Sequence, residues 1–250
     1  MIVLPRHRAV FVHIYKTGGS SLTRLLAPYT NPRFRSGHNT CAGDGWQDAW
    51  HFEGLQHAWY TPESRLRLIE RGLDPNHTIF AFVRDPYTWT LSIWNNFYRH
   101  ANTSLGQEFA EKFPQADFKS YLRFLLSCGE DYWGRAPQTA FFGGSTLENV
   151  QIGYFEDLGK SIAKLFLHLN IDTPRSIPHD VEMSPKERED FQSFYDTECV
   201  DIANHLYAPD FDAFGYQRIS SLGADSMAGN SAAASLGRKL SLANTRVPDA

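Results

Sequence analysis

A lysine followed by a threonine, two glycines and two serines (Lys16, Thr17, Gly18, Gly19, Ser20, Ser21) is the stretch of this chain best suited to chemistry. Adjacent glycines allow a sharp turn and let backbone N–H groups come close to a ligand. A helix starting there adds unpaired N–H donors and the positive end of its dipole. An anion, above all a phosphate, is the natural guest. Lys16 brings a full charge, and the hydroxyls of Thr17, Ser20 and Ser21 are neutral donors. The order is not that of a Walker A loop, in which the lysine follows the glycines. The loop therefore reads as phosphate-binding but not NTPase-like. Taken by itself, it is equally a plain strand-to-helix turn capped by serines.

The elements around the loop fit that use. Ala9 to Ile14 is a short apolar, β-branched and aromatic run that predicts a buried strand. Leu22, Leu25 and Leu26 have helical spacing, and Pro28 ends the run. Further on, Ile79 to Val83 is continuously apolar, as in a central parallel strand. Arg84, Asp85 and Pro86 stand at its end, ahead of a helix-like run from Thr88 to Arg99. Ligands of open α/β sheets bind outside the carboxyl ends of strands. Lys16 and Arg84 are thus expected at the same sheet edge, although Arg84 and Asp85 could instead form a local ion pair. Between the two strands, Thr61, Pro62 and Ser64 carry the signature of a helix start. Residues 118–128 predict a helix; residues 150–158 predict a strand, followed by a helix over 159–169. Helical runs are expected over 185–195 and 196–207. From Ser220 the chain turns small and polar, which predicts a flexible tail over 220–250 behind one domain spanning 1–219.

With 250 residues, the chain is long enough for one substantial core. A net charge of −4 argues against non-specific nucleic-acid binding, and mildly against a strongly anionic partner. Cys41, Cys128 and Cys199 are widely separated and show no metal-ligand spacing. Such usage fits a reducing compartment. No run is apolar enough to cross a membrane and no signal peptide is evident. A cytoplasmic enzyme is the expectation.

Two segments carry a family resemblance. His13-Ile-Tyr-Lys-Thr-Gly-Gly-Ser-Ser21 resembles the 5′-phosphosulfate-binding loop, His-Ile-Pro-Lys-Thr-Gly-Gly-Thr-Ser, of the sulfotransferases related to carbohydrate sulfotransferases. Tyr15 stands where that pattern has proline. The segment from Val83 to Ser92 resembles the same family's 3′-phosphate-binding signature, with Arg84 and Ser92 at the matching positions and Trp89 in place of a second arginine. Later, Tyr154 replaces an arginine of the family's Arg-Phe-Glu-Asn-Leu strand, and residues 194–216 resemble its closing segment. The matches run in order over roughly 9–218, and because no anchoring helix is seen ahead of them the expectation is a soluble, bacterial-type member.

The resemblance implies an α/β, P-loop-like, three-layer fold with a central, mostly parallel sheet flanked by helices. It also implies a donor, 3′-phosphoadenosine 5′-phosphosulfate, and a product, adenosine 3′,5′-bisphosphate. Lys16, Thr17, Gly18, Gly19, Ser20 and Ser21 would hold the 5′ end, and Arg84 and Ser92 the 3′-phosphate. Lys16 would also stabilise the leaving oxygen. No metal is expected, because a sulfuryl group carries less charge than a phosphoryl group. The acceptor, a small molecule or glycan, needs a general base, and histidine suits neutral pH. His57 is the first candidate, on its resemblance to a family histidine ahead of a helix. His38 is the rival, Glu53 a reserve, and His13 is expected to order the loop. Trp46, Trp50, Trp59 and Tyr60 flank these histidines, either as stacking surfaces for sugar or adenine or as ordinary core. A small-molecule or nucleotide kinase, or a nucleotide binder without catalysis, are the competing readings.

Overall fold

The computed structural model describes residues 1–34, 51–54, 57–98, 104–113, 117–130, 132, 134–143, 147–174 and 191–220. His38, Cys41, Trp46 and Trp50 lie outside these, as does the run 175–190, so most of the helix expected over 185–195 is not among them. Residues 1–218 cluster as one compact unit, and 219–250 as a second that is almost wholly outside the described residues.

A four-stranded sheet forms the centre of the first unit, in the order β1 (Ile2–Leu4), β2 (Ala9–Val12), β3 (Thr78–Val83), β4 (Val150–Tyr154). Strands β2, β3 and β4 run parallel, with Phe11 beside Phe80 and Phe80 beside Gln151. Strand β1 adds antiparallel to β2 through a short turn at Pro5–His7, so that Val3 faces Val10. The sequence pattern did not announce β1, because three residues are too few to show a period.

Both faces of the sheet are covered, as the uninterrupted apolar runs of β2 and β3 require. On one face Phe11, Phe80 and Phe82 pack with Leu22 and Leu26 of α1 (Gly19–Leu26) and with Ile162 and Phe166 of α6 (Leu158–His168). The alternate residues Val10, Val12, Ala81 and Val83 are also buried. Between β2 and β3 lies α2 (Pro62–Glu70), started by a capping box in which Thr61 and Ser64 exchange side-chain to backbone hydrogen bonds. After β3 comes α3 (Pro86–Ile93), which continues as a π-helical turn over Trp94–Tyr98. Helices α4 (Ser104–Lys112) and α5 (Phe118–Ser127) follow, with Trp94, Tyr98, Phe109, Tyr121 and Phe124 forming an aromatic cluster. The chain closes with α7 (Thr197–Leu206) and α8 (Ala208–Phe214), while Phe191–Phe194 is a 3-10 turn.

The closing helix does more than fill space. Asp210 of α8 is fully buried, and its carboxylate accepts the N–H groups of Gln138 (2.8 Å) and Thr139 (2.9 Å). Gln138, also fully buried, accepts from the Arg84 N–H at 2.9 Å and donates to the Arg84 carbonyl at 2.8 Å. The peptide at the end of β3 is thus clamped from the far end of the chain. Replacing Gln138 by alanine removes both hydrogen bonds that its side chain makes to this buried peptide, which costs about 1–3 kcal/mol. Urea unfolding should show the loss as a lower midpoint with an unchanged slope.

Candidate functional site

Strand β2 delivers the chain into the Lys16 loop. Lys16 has φ 62° and Gly18 φ 87°, so the backbone turns through two left-handed residues before α1 begins at Gly19. The helix starts earlier than its leucines suggested: Gly19, Ser20 and Ser21 belong to its first turn, where N–H groups lack intrahelical partners. The buried Thr17 hydroxyl donates to the Ile14 carbonyl at 2.8 Å and pins the turn to the strand end. The Lys16 ammonium donates to Asn96 Oδ1 at 2.9 Å, in the π-helical turn after α3.

Arg84 meets this loop directly. Its Nη1 donates to the Lys16 carbonyl at 3.2 Å and its Nε to Thr88 Oγ1 at 3.2 Å. The guanidinium lies over the Phe155 ring, 4.4 Å from its centroid. The two segments therefore share one sheet edge. Arg84 also holds the loop in place, a job its position in the sequence did not reveal. Asp85 caps α3 by accepting from the Thr88 N–H at 3.0 Å. Burial pushes its carboxyl up to about 6, and nearby Glu156 adds to the rise against the pull of the Thr88 N–H. Ser92 lies half-buried on α3, on the helix that Arg84 precedes.

The positions that depart from the family pattern pack on each other. Tyr15 and Trp89 stack with ring centroids 5.2 Å apart, and the Trp89 indole N–H donates to the Tyr15 carbonyl at 2.8 Å. Trp89 is fully buried. The residue in the second arginine position is therefore a wedge beneath the loop.

Three histidines converge below the same turn. Buried His13 and His51 share a hydrogen bond, Nδ1 to Nε2, of 3.0 Å. His57 is exposed, and its Nδ1 lies 3.0 Å from the His13 carbonyl. A carbonyl only accepts, so His57 Nδ1 carries the hydrogen, and in the neutral ring Nε2 is the basic nitrogen. His57 also meets the Tyr15 ring edge-on at 5.6 Å, which places it next to the lysine turn. Glu53, the reserve base, is engaged by Arg71 (3.2 Å) and Arg67 (3.4 Å). His38 lies outside the described residues. The sequence gives no role to Asn96 or Gln138, which act across long stretches of chain without a local signature; it marks His51 only as a prominent histidine, and Phe155 only as part of the strand motif around Tyr154.

His13 fixes Gly19. A Cβ on Gly19 would sit 1.6 Å from His13 Nε2, with the whole ring edge within 2.4 Å. Gly19→Ala should therefore destabilise the protein by about 1–3 kcal/mol and displace the loop. A His13→Ala background should remove most of that penalty, a coupling that a double-mutant cycle on unfolding midpoints reads directly.

Burial, reinforced by His57 and His51, holds the His13 pKa well below the ordinary histidine value. An unfolded chain would protonate His13 near pH ~6.5. Below that pH the unfolded state binds the extra proton, so this contribution to stability is full at neutral pH and falls as pH falls. As pH falls below ~6.5 the wild type should therefore lose stability more steeply than His13→Asn, measured by urea titration at a series of pH values.

The loop can receive an anion, with the Lys16 cation extending from it to Asn96 and the His57 imidazole next to Tyr15. Among the described residues no group of histidine, cysteine and carboxylate side chains could hold a metal ion, and no helix is long and apolar enough to cross a membrane. Cys128 and Cys199 are free thiols.

A family model described as "Sulfotransferase family" matches residues 1–217. Among solved structures, a sulfotransferase from Alicyclobacillus acidocaldarius is similar at 16% identity, covering 83% of this chain and 98% of that one, with a TM-score of 0.34, too low to carry an argument. No curated protein matches the chain.

Proposed function

The chain belongs to the sulfotransferase family, and from that membership we propose that it moves a sulfuryl group from 3′-phosphoadenosine 5′-phosphosulfate to an acceptor hydroxyl, with a carbohydrate or glycoconjugate as the acceptor. The observation that carries the reading is the hydrogen bond from Arg84 to the Lys16 carbonyl. It brings both segments that resemble phosphate-binding signatures to one edge of the sheet.

In this reading Lys16, Thr17, Gly18, Gly19, Ser20 and Ser21 hold the 5′ end of the donor, and Arg84 and Ser92 hold its 3′-phosphate. The residues fit such a group: a left-handed glycine opens the helix start, and the same turn carries the Lys16 ammonium, which reaches Asn96. The donor supplies an activated sulfuryl group whose S–O bond to the 5′-phosphate breaks as the acceptor oxygen bonds to sulfur. Lys16 and the first-turn N–H groups then stabilise the charge left on the phosphate oxygen, without reorganising. His57 Nε2 takes the acceptor's proton, while the His13 carbonyl keeps the ring in the required tautomer. No metal takes part in this scheme. The catalytic domain spans 1–219 with 220–250 as a tail, and the protein works in the cytoplasm.

Radiolabelled sulfuryl donor offered with a panel of acceptors tests the reading. Label should pass to at least one acceptor, with adenosine 3′,5′-bisphosphate released in equal amount. Magnesium-dependent phosphoryl transfer from ATP, with no label transferred from the sulfuryl donor, would overturn it.

A further inference from the structure

We infer that the groove beside His57 is the acceptor subsite, and that it takes an uncharged saccharide whose ring lies on Trp59. The inference rests on the sulfuryl-transfer reading above. The groove has a volume of about 530 Å³ and is lined by Trp59, Glu130, Arg135 and His205, with Pro137 and Leu206 among its apolar walls. That is within the range of about 300–1,000 Å³ found for small-molecule sites. Trp59 stands two residues after His57, so their Cα atoms are at most about 7 Å apart. The rings connect as well: Trp59 touches Phe141 at 5.9 Å, Phe141 touches Tyr15 at 5.4 Å, and Tyr15 touches His57.

The chemistry of the lining selects the ligand. The half-buried Trp59 offers an aromatic surface suited to the C–H face of a sugar ring. Around it stand a carboxylate that accepts, a guanidinium that donates and an imidazole that can do either, which is what ring hydroxyls require. Glu130 and His205 are exposed and make no hydrogen bond or ion pair among the described residues, so a ligand would not have to displace one. Arg135 gives one N–H to the Cys128 carbonyl, which fixes its orientation. One carboxylate balances one guanidinium, so a neutral saccharide fits, whereas a sulfated or uronic acid chain would trade its attraction to Arg135 against a like charge at Glu130.

Two segments that border the groove are tied to their neighbours. The Tyr60 N–H donates to the Phe141 carbonyl at 2.7 Å, and Asp210 holds the Gln138–Thr139 turn from behind. Gly143, at φ 54°, lies where a Cβ would come within 2.4 Å of the Tyr60 carbonyl oxygen, so the two segments bordering the groove pack backbone to backbone.

Saturation-transfer NMR on the full chain tests the inference, using maltotriose, cellotriose and N,N′,N″-triacetylchitotriose in the presence of adenosine 3′,5′-bisphosphate. At least one should show transfer. Trp59→Ala should weaken its binding about ten-fold or more, Trp59→Phe should retain most of it, and Glu130→Gln and His205→Ala should each weaken it with the melting temperature held. The inference is overturned if no neutral trisaccharide shows transfer, if Trp59→Ala binds as well as the wild type, or if a sulfated trisaccharide binds more tightly than its neutral counterpart. Calorimetry of adenosine 3′,5′-bisphosphate with the wild type keeps the two ideas apart. Failure to bind it sinks the sulfotransferase reading, whereas saccharide binding in the groove stands or falls on the NMR result.

Discussion

Replacing Lys16 by alanine should lower sulfuryl transfer by about 10²–10³-fold while leaving the protein folded. The size follows from the proposed mechanism, in which the ammonium faces charge that develops only as the S–O bond breaks, so that its loss falls on the transition state more than on the ground state. The fold should survive because the ammonium is not buried: its partner Asn96 is exposed and the hydrogen bond between them lies at the surface. Alanine at φ 62° is no more strained there than lysine. Single-turnover transfer of labelled sulfuryl group, with circular dichroism on the same sample, separates the outcomes. Transfer at the wild-type rate in a folded variant removes Lys16 from the mechanism.

The second large effect is expected at His57. His57→Ala should lower kcat by about 10²–10⁴-fold, the range for losing a positioned general base. Donor-product affinity should not change, because in the proposed mechanism the ring serves the acceptor, oriented by the His13 carbonyl and set against the edge of Tyr15. His57→Gln keeps a donor for the His13 carbonyl but supplies no basic nitrogen, so it should be as inactive as alanine and more stable. Activity in the glutamine variant would mean that the histidine positions the acceptor and does not take its proton. Glu53 cannot readily substitute, because Arg67 and Arg71 hold its carboxylate.

Much of the scaffold could be read from local patterns. Apolar runs announced β2 and β3, the Thr61–Ser64 box announced α2, and the leucines after the glycine turn announced α1. Each signal comes from residues within one turn or one strand of each other, where backbone sterics and capping act. What stayed hidden spans the chain. Trp89 and Tyr15 depart separately from the family pattern, and their sequence positions give no hint that one stacks on the other across 74 residues. Gln138 looks like any loop glutamine until Arg84 and Asp210 are seen on either side of it.

The candidate site divides along the same line. The lysine–glycine loop and the arginine at the strand end carry their chemistry in their own sequence. The tie between them does not: the bond from Arg84 to the Lys16 carbonyl exists only because β2 and β3 are parallel neighbours whose carboxyl ends coincide. The histidine cluster is likewise a product of packing. His13 and His51 are 38 residues apart, yet they pair under a glycine that no other residue can replace without moving them.

The claim beneath all of this is that one ligand with a phosphate at each end spans the Lys16 loop and the Arg84–Ser92 segment. Calorimetric titration of adenosine 3′,5′-bisphosphate against adenosine 5′-monophosphate tests it most directly. The bisphosphate should bind about ten-fold or more tightly, since a charge-assisted phosphate contact is worth about 1.5–3 kcal/mol. Equal affinity for the two nucleotides, or no binding of either, would contradict it.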